Sequence, residues 1–320
     1  FLAFRFDPVS PELQFVEKFQ WIISHNISYL VGVDGISLVF IPLTNILFLF
    51  AIIASLEKIQ VTKGFFALLL VLETALLGTF LAQDLFLFFT FWVSAILPVF
   101  FLIGIWGGRH REYAATKFFL YHLMSSGLLL AGLLIIYFVK DIHTFNISEL
   151  VGGKFANLTI EIAERSFSIE NLVFILMSLG FAIRLATFPF HGWFPLVQAE
   201  APMAITVVVA ALFIETAAYG IIRVSFGLFP QAAQMSAKAF ALAGVMNLLY
   251  GGICALGQKD VRRMIAFFCI GQMGLVLLGL GSFSPTAFHG TILHLFSYGI
   301  SVGLIFFLVG LLGKRTGQYQ

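Results

Sequence analysis

Charge is scarce in this sequence. Of its 320 residues only 11% are Asp, Glu, Lys or Arg, and 60% are hydrophobic; a soluble domain carries roughly 25% charged residues. A globular fold of this length needs a charged coat that the chain does not supply, so its solvent is mostly lipid. The net charge of +2 leaves no basic footprint for nucleic acid. Cysteine is almost missing too. Cys254 and Cys269 stand alone in apolar runs, outside any CxxC pair and away from histidine at ligand spacing. That pattern implies small buried thiols and no metal or iron–sulfur site. There is no phosphate-cradling glycine loop and no nucleophile elbow, and Gly279 and Gly281 read as helix-packing glycines. Any redox cofactor is expected in other chains. A cleavable signal is also lacking: the chain opens on FLAFRFDP without an initiator methionine. This opening reads as the last turn of a helix reaching water at Asp7-Pro8, and the chain as part of a longer subunit.

What fills the sequence is long apolar runs rich in phenylalanine, 39 in all. Crossing roughly 30 Å of hydrocarbon takes about 20 residues. Nine runs qualify: 36–55, 64–81, 85–105, 114–138, 171–190, 202–226, 237–256, 262–281 and 285–312. Polar punctuation separates them, as at Gln83-Asp84 and from Gly257 to Asp260. Alternate connections differ in charge. One set carries Lys58, Lys63, Arg109, Arg111, Lys117, Lys259, Arg262, Arg263, Lys314 and Arg315. The other, including the long segments 6–35 and 139–170, is acid-rich, with Asp34, Asp84, Asp141, Glu149, Glu161 and Glu164 among its residues. The basic set is expected to face the cytoplasm or its equivalent. The fold class is therefore an all-α, polytopic transmembrane bundle.

The run after the fifth span is unusual. FPFHGWFP places Pro189, His191, Gly192 and Pro195 directly behind an apolar helix. Proline removes a backbone donor and clashes with the preceding turn, so the helix breaks there. A break at membrane depth has to line protein or a wet cavity; the plainer reading is a loop at the lipid surface.

Ionisable groups inside a span are costly and usually functional. Glu73 lies mid-span in LVLETALLG, Arg184 in GFAIRLATFPF and Glu215 in ALFIETAAYGIIR. The spans carrying Arg184 and Glu215 are sequence neighbours and are expected to run antiparallel, so an Arg184–Glu215 ion pair is the economical arrangement. Separate roles along a hydrated path are the other. His294 and Tyr298, four apart, share a helix face. With Gln272, and with His122 further back, they suit either a row of bound waters or ordinary interhelical hydrogen bonds. Lys117 stands near the basic end of its span, where it can snorkel.

GVDGISLVFIPLT at 32–44, FLAQDLFLFFTFW at 80–92 and FLIGIWGG at 101–108 are followed in order by AATKFFLY, FPFHGWFP, TAAYGIIR and QKDVRRMIA. Together these motifs resemble the antiporter-like membrane-arm subunits of complex I, the type I NADH dehydrogenase, of the chain-4 or M type. The resemblance covers nearly the whole chain. It implies inverted five-helix repeats with a broken helix. Segment 1–35 would be the end of a helix and a non-cytoplasmic loop, 36–63 one helix and its loop, 64–226 the first repeat, and 227–320 part of its inverted twin. It further implies a bacterial inner or thylakoid membrane and other membrane-arm subunits as partners. No cofactor is implied in this chain, with flavin, iron–sulfur clusters and quinone held by partner subunits.

The resemblance also implies a proton relay. In that family a glutamate after FxxFW faces a lysine before the proline break, and a second lysine, histidines and a further lysine follow. Lysine suits the task because its surroundings can move its pKa. Here the glutamate position is Val93 and the first lysine position is Arg184, whose guanidinium stays protonated. The second lysine position is Glu215. Gln272 and Tyr298 replace histidines, although His294 lies one turn before Tyr298. Leu196 and Gln198 replace the aspartate and histidine that follow the break. The expectation is a quinone-oxidoreductase membrane subunit whose standard proton route is altered or lost. The same fold also serves multisubunit cation/proton antiporters and inorganic-carbon uptake complexes, so fold alone does not choose.

Overall fold

The computed structural model describes residues 5–10, 12–56, 63–138, 144–151, 159–162 and 165–316. The loop charges Lys58, Asp141 and Glu164, and the opening residues 1–4, lie outside the described residues. An antiparallel hairpin, β1 (Gln14–Ile22) and β2 (Ile27–Val33), leads into the helices. These are α1 (Ser37–Leu56), α2 (Lys63–Leu81), α3 (Leu85–Ser94), α4 (Ile96–Trp106), α5 (Arg111–Phe138) and the short α6 (Ile147–Leu150). A second small hairpin, β3 (Thr159–Ile162) and β4 (Arg165–Ser168), precedes α7 (Ile169–Arg184). After a 3-10 turn, Phe190–Trp193, come α8 (Phe194–Glu200) and α9 (Met203–Val208), the π-helical turn Val209–Phe213, α10 (Ile214–Gly220) and a second π-helical turn, Ile221–Phe226. The chain closes with α11 (Pro230–Leu256), α12 (Val261–Gly281) and α13 (Pro285–Thr316).

Eight segments among the described residues are long and apolar enough to cross a membrane. They match eight of the nine runs expected from sequence. The exception is 171–190: its helix ends at Arg184 after 16 residues, about 24 Å of helix at 1.5 Å per residue, and the break takes over. The span 85–105 is itself interrupted at Ala95. Pro98 has no N–H to offer the carbonyl of Ser94, so α3 and α4 meet there as two helices in one span. Asp84 starts α3 by accepting hydrogen bonds from the backbone N–H groups of Phe86 (2.9 Å) and Leu87 (3.1 Å).

The stretch Met203–Phe226 is buried except at Arg223 and Phe226, which are partly open, and it forms the axis of the bundle. Helices α1 and α13 cover one side of it, and α7 the other. By contrast α11 is the least buried of the spans and rests mainly on α12. That contact is a backbone-to-backbone approach. A methyl group on Gly274 would lie 2.6 Å from the Gly244 carbonyl oxygen, and one on Gly251 would lie 2.6 Å from the Gly271 nitrogen. Small residues allow such approach between membrane helices, where dispersion contact replaces the hydrophobic effect.

Gly274→Val is therefore expected to push α11 off α12 and lower the thermal midpoint of the detergent-purified protein, at a cost of about 1–3 kcal/mol. Gly252→Ala, where an added methyl meets nothing within 4 Å, should leave the midpoint unchanged in the same melting experiment.

Candidate functional site

The break after α7 is closed by partners from three elements. Ala186 adopts a left-handed backbone (φ 57°). The Thr187 N–H and hydroxyl both donate to the Ala182 carbonyl. The Trp193 indole N–H donates to Ile183 O at 2.9 Å, and the Phe188 N–H to Asn247 Oδ1 at 2.7 Å. Of the break residues named from sequence, Pro189 follows a cis peptide bond, and His191 Nε2 lies 2.9 Å from the Tyr250 hydroxyl. Gly192 faces Lys117 and Tyr121, and Pro195 opens α8. Arg262 grips the far end of α8, donating to Ala199 O (2.7 Å) and Ala201 O (3.0 Å). A cation over the last carbonyls of a helix is favourable there.

Arg184 ends α7 in full burial. Its Nη2 donates to the carbonyl of Trp92 at 2.8 Å, and its Nη1 lies 3.4 Å from the Thr216 hydroxyl. The guanidinium carbon sits 3.3 Å from the centre of the Trp92 ring and 4.3 Å from that of Phe213. Two aromatic faces and a carbonyl thus meet this cation. His122 shares the Phe213 face, at 5.0 Å between ring centres, and its Nδ1 hydrogen-bonds to Phe118 O at 2.7 Å.

The Arg184–Glu215 ion pair expected from sequence is not formed. The two spans do pack side by side. Thr216, however, is the residue turned towards Arg184, and Glu215, about 100° around the same helix, faces α13. Its Oε1 lies 2.9 Å from where a Cβ on Gly299 would stand, and neither carboxylate oxygen has a hydrogen-bond partner among the described residues. Tyr298, beside Gly299, donates to Ala210 O in the first π-helical turn at 3.0 Å. His294, one turn earlier, has its Nε2 buried without a partner. The half-buried Gln272 lies on the adjacent α12. Glu73 is half-buried on α2, and no hydrogen bond or ion pair among the described residues joins it to the others. The sequence candidates therefore divide into an arginine site and a Glu215–Tyr298–His294 site, with Glu73 apart from both.

One linkage was not read from the sequence, although its motifs were. Arg223, closing TAAYGIIR, forms an ion pair with Asp34 of VDGIS and a hydrogen bond with Gln83 of FLAQD. It is the only ion pair among the described residues. Asp34 also accepts from the Ser37 N–H at 2.9 Å and so starts α1. Next to Gln83, burial pushes the Asp84 carboxyl above its ordinary range, while N–H donors from Leu87, Ser28 and Phe86 pull it down. Burial, and then the Lys117 charge, push the His191 imidazole below its usual range.

A bundle of apolar spans, with a broken helix carrying a buried cation and a largely buried neighbouring span carrying a carboxylate, has the build of an integral membrane protein. The sequence profile described as NADH:quinone oxidoreductase/Mrp antiporter, transmembrane, matches residues 82–320, and the chain belongs to that family. It is 35% identical over 98% of its length to NAD(P)H-quinone oxidoreductase chain 4 2 of Microcystis aeruginosa, covering 55% of that protein. It is 34% identical over 98% of its length to NADH-quinone oxidoreductase subunit M of Rickettsia bellii, covering 62% of it. The chain thus spans little more than half the length of these relatives. Among solved structures, respiratory complex I from Thermus thermophilus matches with a TM-score of 0.84 and 26% identity, over 98% of this chain and 64% of that one. The Mrp complex from Dietzia sp. shares the fold, with a TM-score of 0.85 at 20% identity, over 97% of this chain and 33% of that one.

Arg184→Met should cost about 1–3 kcal/mol by leaving the Trp92 carbonyl without its donor. Thr216→Val, which removes a long contact, should cost less than about 1 kcal/mol. Denaturant titration of the purified variants, followed by tryptophan fluorescence, measures both; equal losses would mean that the carbonyl contact is not what holds Arg184.

Proposed function

We propose that this chain is a membrane-arm subunit of a quinone oxidoreductase complex driven by NAD(P)H or ferredoxin, of the antiporter-like type, with the standard proton relay altered. The relatives at 32–35% identity all bear quinone-oxidoreductase names, which favours this reading over a cation/proton antiporter or an inorganic-carbon uptake complex. Flavin, iron–sulfur clusters and quinone belong to partner subunits, and the complex sits in a bacterial inner or thylakoid membrane. Segment 64–226 acts as one repeat and 227–320 as part of its inverted counterpart, a reading supported by the break after Arg184.

The observation that carries the altered relay is the seat of Arg184. A lysine there would be a proton carrier. A guanidinium held by the Trp92 carbonyl and two aromatic faces is a fixed cation. Next to Trp92 in the sequence stands Val93, which cannot exchange a proton. Any remaining proton exchange at mid-membrane falls to Glu215 with Tyr298 and His294, and Gln272 stands on the helix beside them.

Two measurements test the proposal. Purification of the native complex should bring iron–sulfur and quinone-site subunits with it; sodium-transport or carbonic-anhydrase-like partners in their place would overturn the assignment. In proteoliposomes the complex should take up fewer protons per quinone reduced than a complex with the full relay. A full ratio that Glu215→Gln abolishes would instead give this subunit a complete route through Glu215.

A further inference from the structure

Between α7 and α11 the packing opens into a cavity of about 380 Å³, within the size range of small-ligand pockets, about 300–1,000 Å³. Its wall is mostly carbon: Phe174, Ile175, Leu179, Phe188 and Phe240 contribute most of it. Two of the hydroxyls that border it are engaged elsewhere, Ser178 with the Ser225 hydroxyl at 3.0 Å and Thr187 with the Ala182 carbonyl. Ile175 and Leu179, lining residues on α7, are 50% and 40% exposed. A lining so rich in carbon suits an acyl chain better than water.

The cavity ends at Phe188-Pro189-Phe190. The two following residues, His191 and Gly192, lie outside that lining and bring the chain to a polar notch. The position a Gly192 Cβ would take lies 3.5 Å from Lys117 Nζ and 3.4 Å from the Tyr121 hydroxyl. Lys117 has no carboxylate within 4 Å among the described residues. Glu200, the acid at the end of α8, is occupied by the His110 N–H at 2.9 Å. An ammonium with three donors, beside a phenol and in a notch kept open by glycine, suits an oxyanion better than a neutral headgroup. Lys117 stands six residues into α5, close to the helix end that begins at Arg111, at the depth of lipid headgroups.

We propose that this cleft binds one anionic phospholipid, its phosphate at Lys117, Tyr121 and Gly192 and one acyl chain in the cavity between α7 and α11. The lipid is the outer support of the broken segment. Asn247 and Tyr250 hold Phe188 and His191 from the α11 side, and the lipid fills the side that faces the membrane. The site does not depend on whether the complex moves protons.

Native mass spectrometry and thermal melting of the full-length protein, delipidated in detergent, test the site. Added phosphatidylglycerol should remain bound and raise the melting temperature. Phosphatidylcholine of the same chains should bind several-fold more weakly, and inorganic phosphate alone should do nothing. Lys117→Met should weaken phosphatidylglycerol about tenfold, roughly 1.4 kcal/mol, and leave phosphatidylcholine unchanged. Ala239→Phe, at an exposed position lining the cavity, should weaken both lipids. Melting of each variant without lipid establishes that it is folded. Equal binding of the two lipids, or no loss in Lys117→Met, would overturn the phosphate site. Stabilisation by inorganic phosphate alone would make it a free-anion site, and displacement of phosphatidylglycerol by ubiquinone would make the cavity a quinone-tail site; either result overturns the proposal.

Discussion

Nothing in hydrocarbon supplies a hydrogen bond to a peptide group, and that constraint governs the segment after Arg184. Ending a helix there releases carbonyls at Ala182 and Ile183 and an N–H at Phe188. Each is met by protein: Thr187, Trp193 and Asn247 respectively. The FPFHGWFP motif is thus more than a pair of helix-breaking prolines. It carries, in Trp193, the donor that makes breaking possible. The partner from α11, Asn247, ties the break to the later half of the chain. Arg262 does the same at the far end of the short helix that follows.

The enclosed span Met203–Phe226 takes its form from the same constraint. Its two π-helical turns lie on either side of the helical turn that carries Glu215 and Thr216. A π turn redirects a carbonyl, and in the first of them the Ala210 carbonyl is taken by Tyr298 from α13. The span is therefore fastened to the neighbour that also faces Glu215. On its other side Thr216 turns to Arg184. Adjacent residues on a helix point about 100° apart, so one span serves two sites without joining them.

This geometry marks what the sequence could and could not reveal. Eight of the nine spans, the break and the short connections are legible, because hydrophobic length and proline act locally. The pairing of Arg184 with Glu215 was a reasonable inference from neighbouring spans, and it fails on an angular detail that spacing within one helix does not fix across two. The carbonyl of Trp92 leaves no mark in a sequence, since every residue has one. Arg223 is different. Arg223 and its two partners, Asp34 and Gln83, are each visible as motif residues, but nothing in their separations of 189 and 140 positions joins them before the chain is folded.

The two arginines bracket what a buried cation needs. Arg223 is partly open, with 18% of its side chain exposed, and it takes a carboxylate and an amide. Arg184 is fully enclosed and takes a carbonyl and two ring faces. A guanidinium is planar, weakly hydrated and suited to stacking, whereas an ammonium is compact and strongly hydrated and depends on an acid or on water. At Arg184 the guanidinium meets the Trp92 and Phe213 rings and the Trp92 carbonyl, and no acid stands within ion-pair distance among the described residues. Glu215 lies instead against α13, by Gly299, and among the described residues the Arg184 Nε, like both Glu215 carboxylate oxygens, has no hydrogen-bond partner.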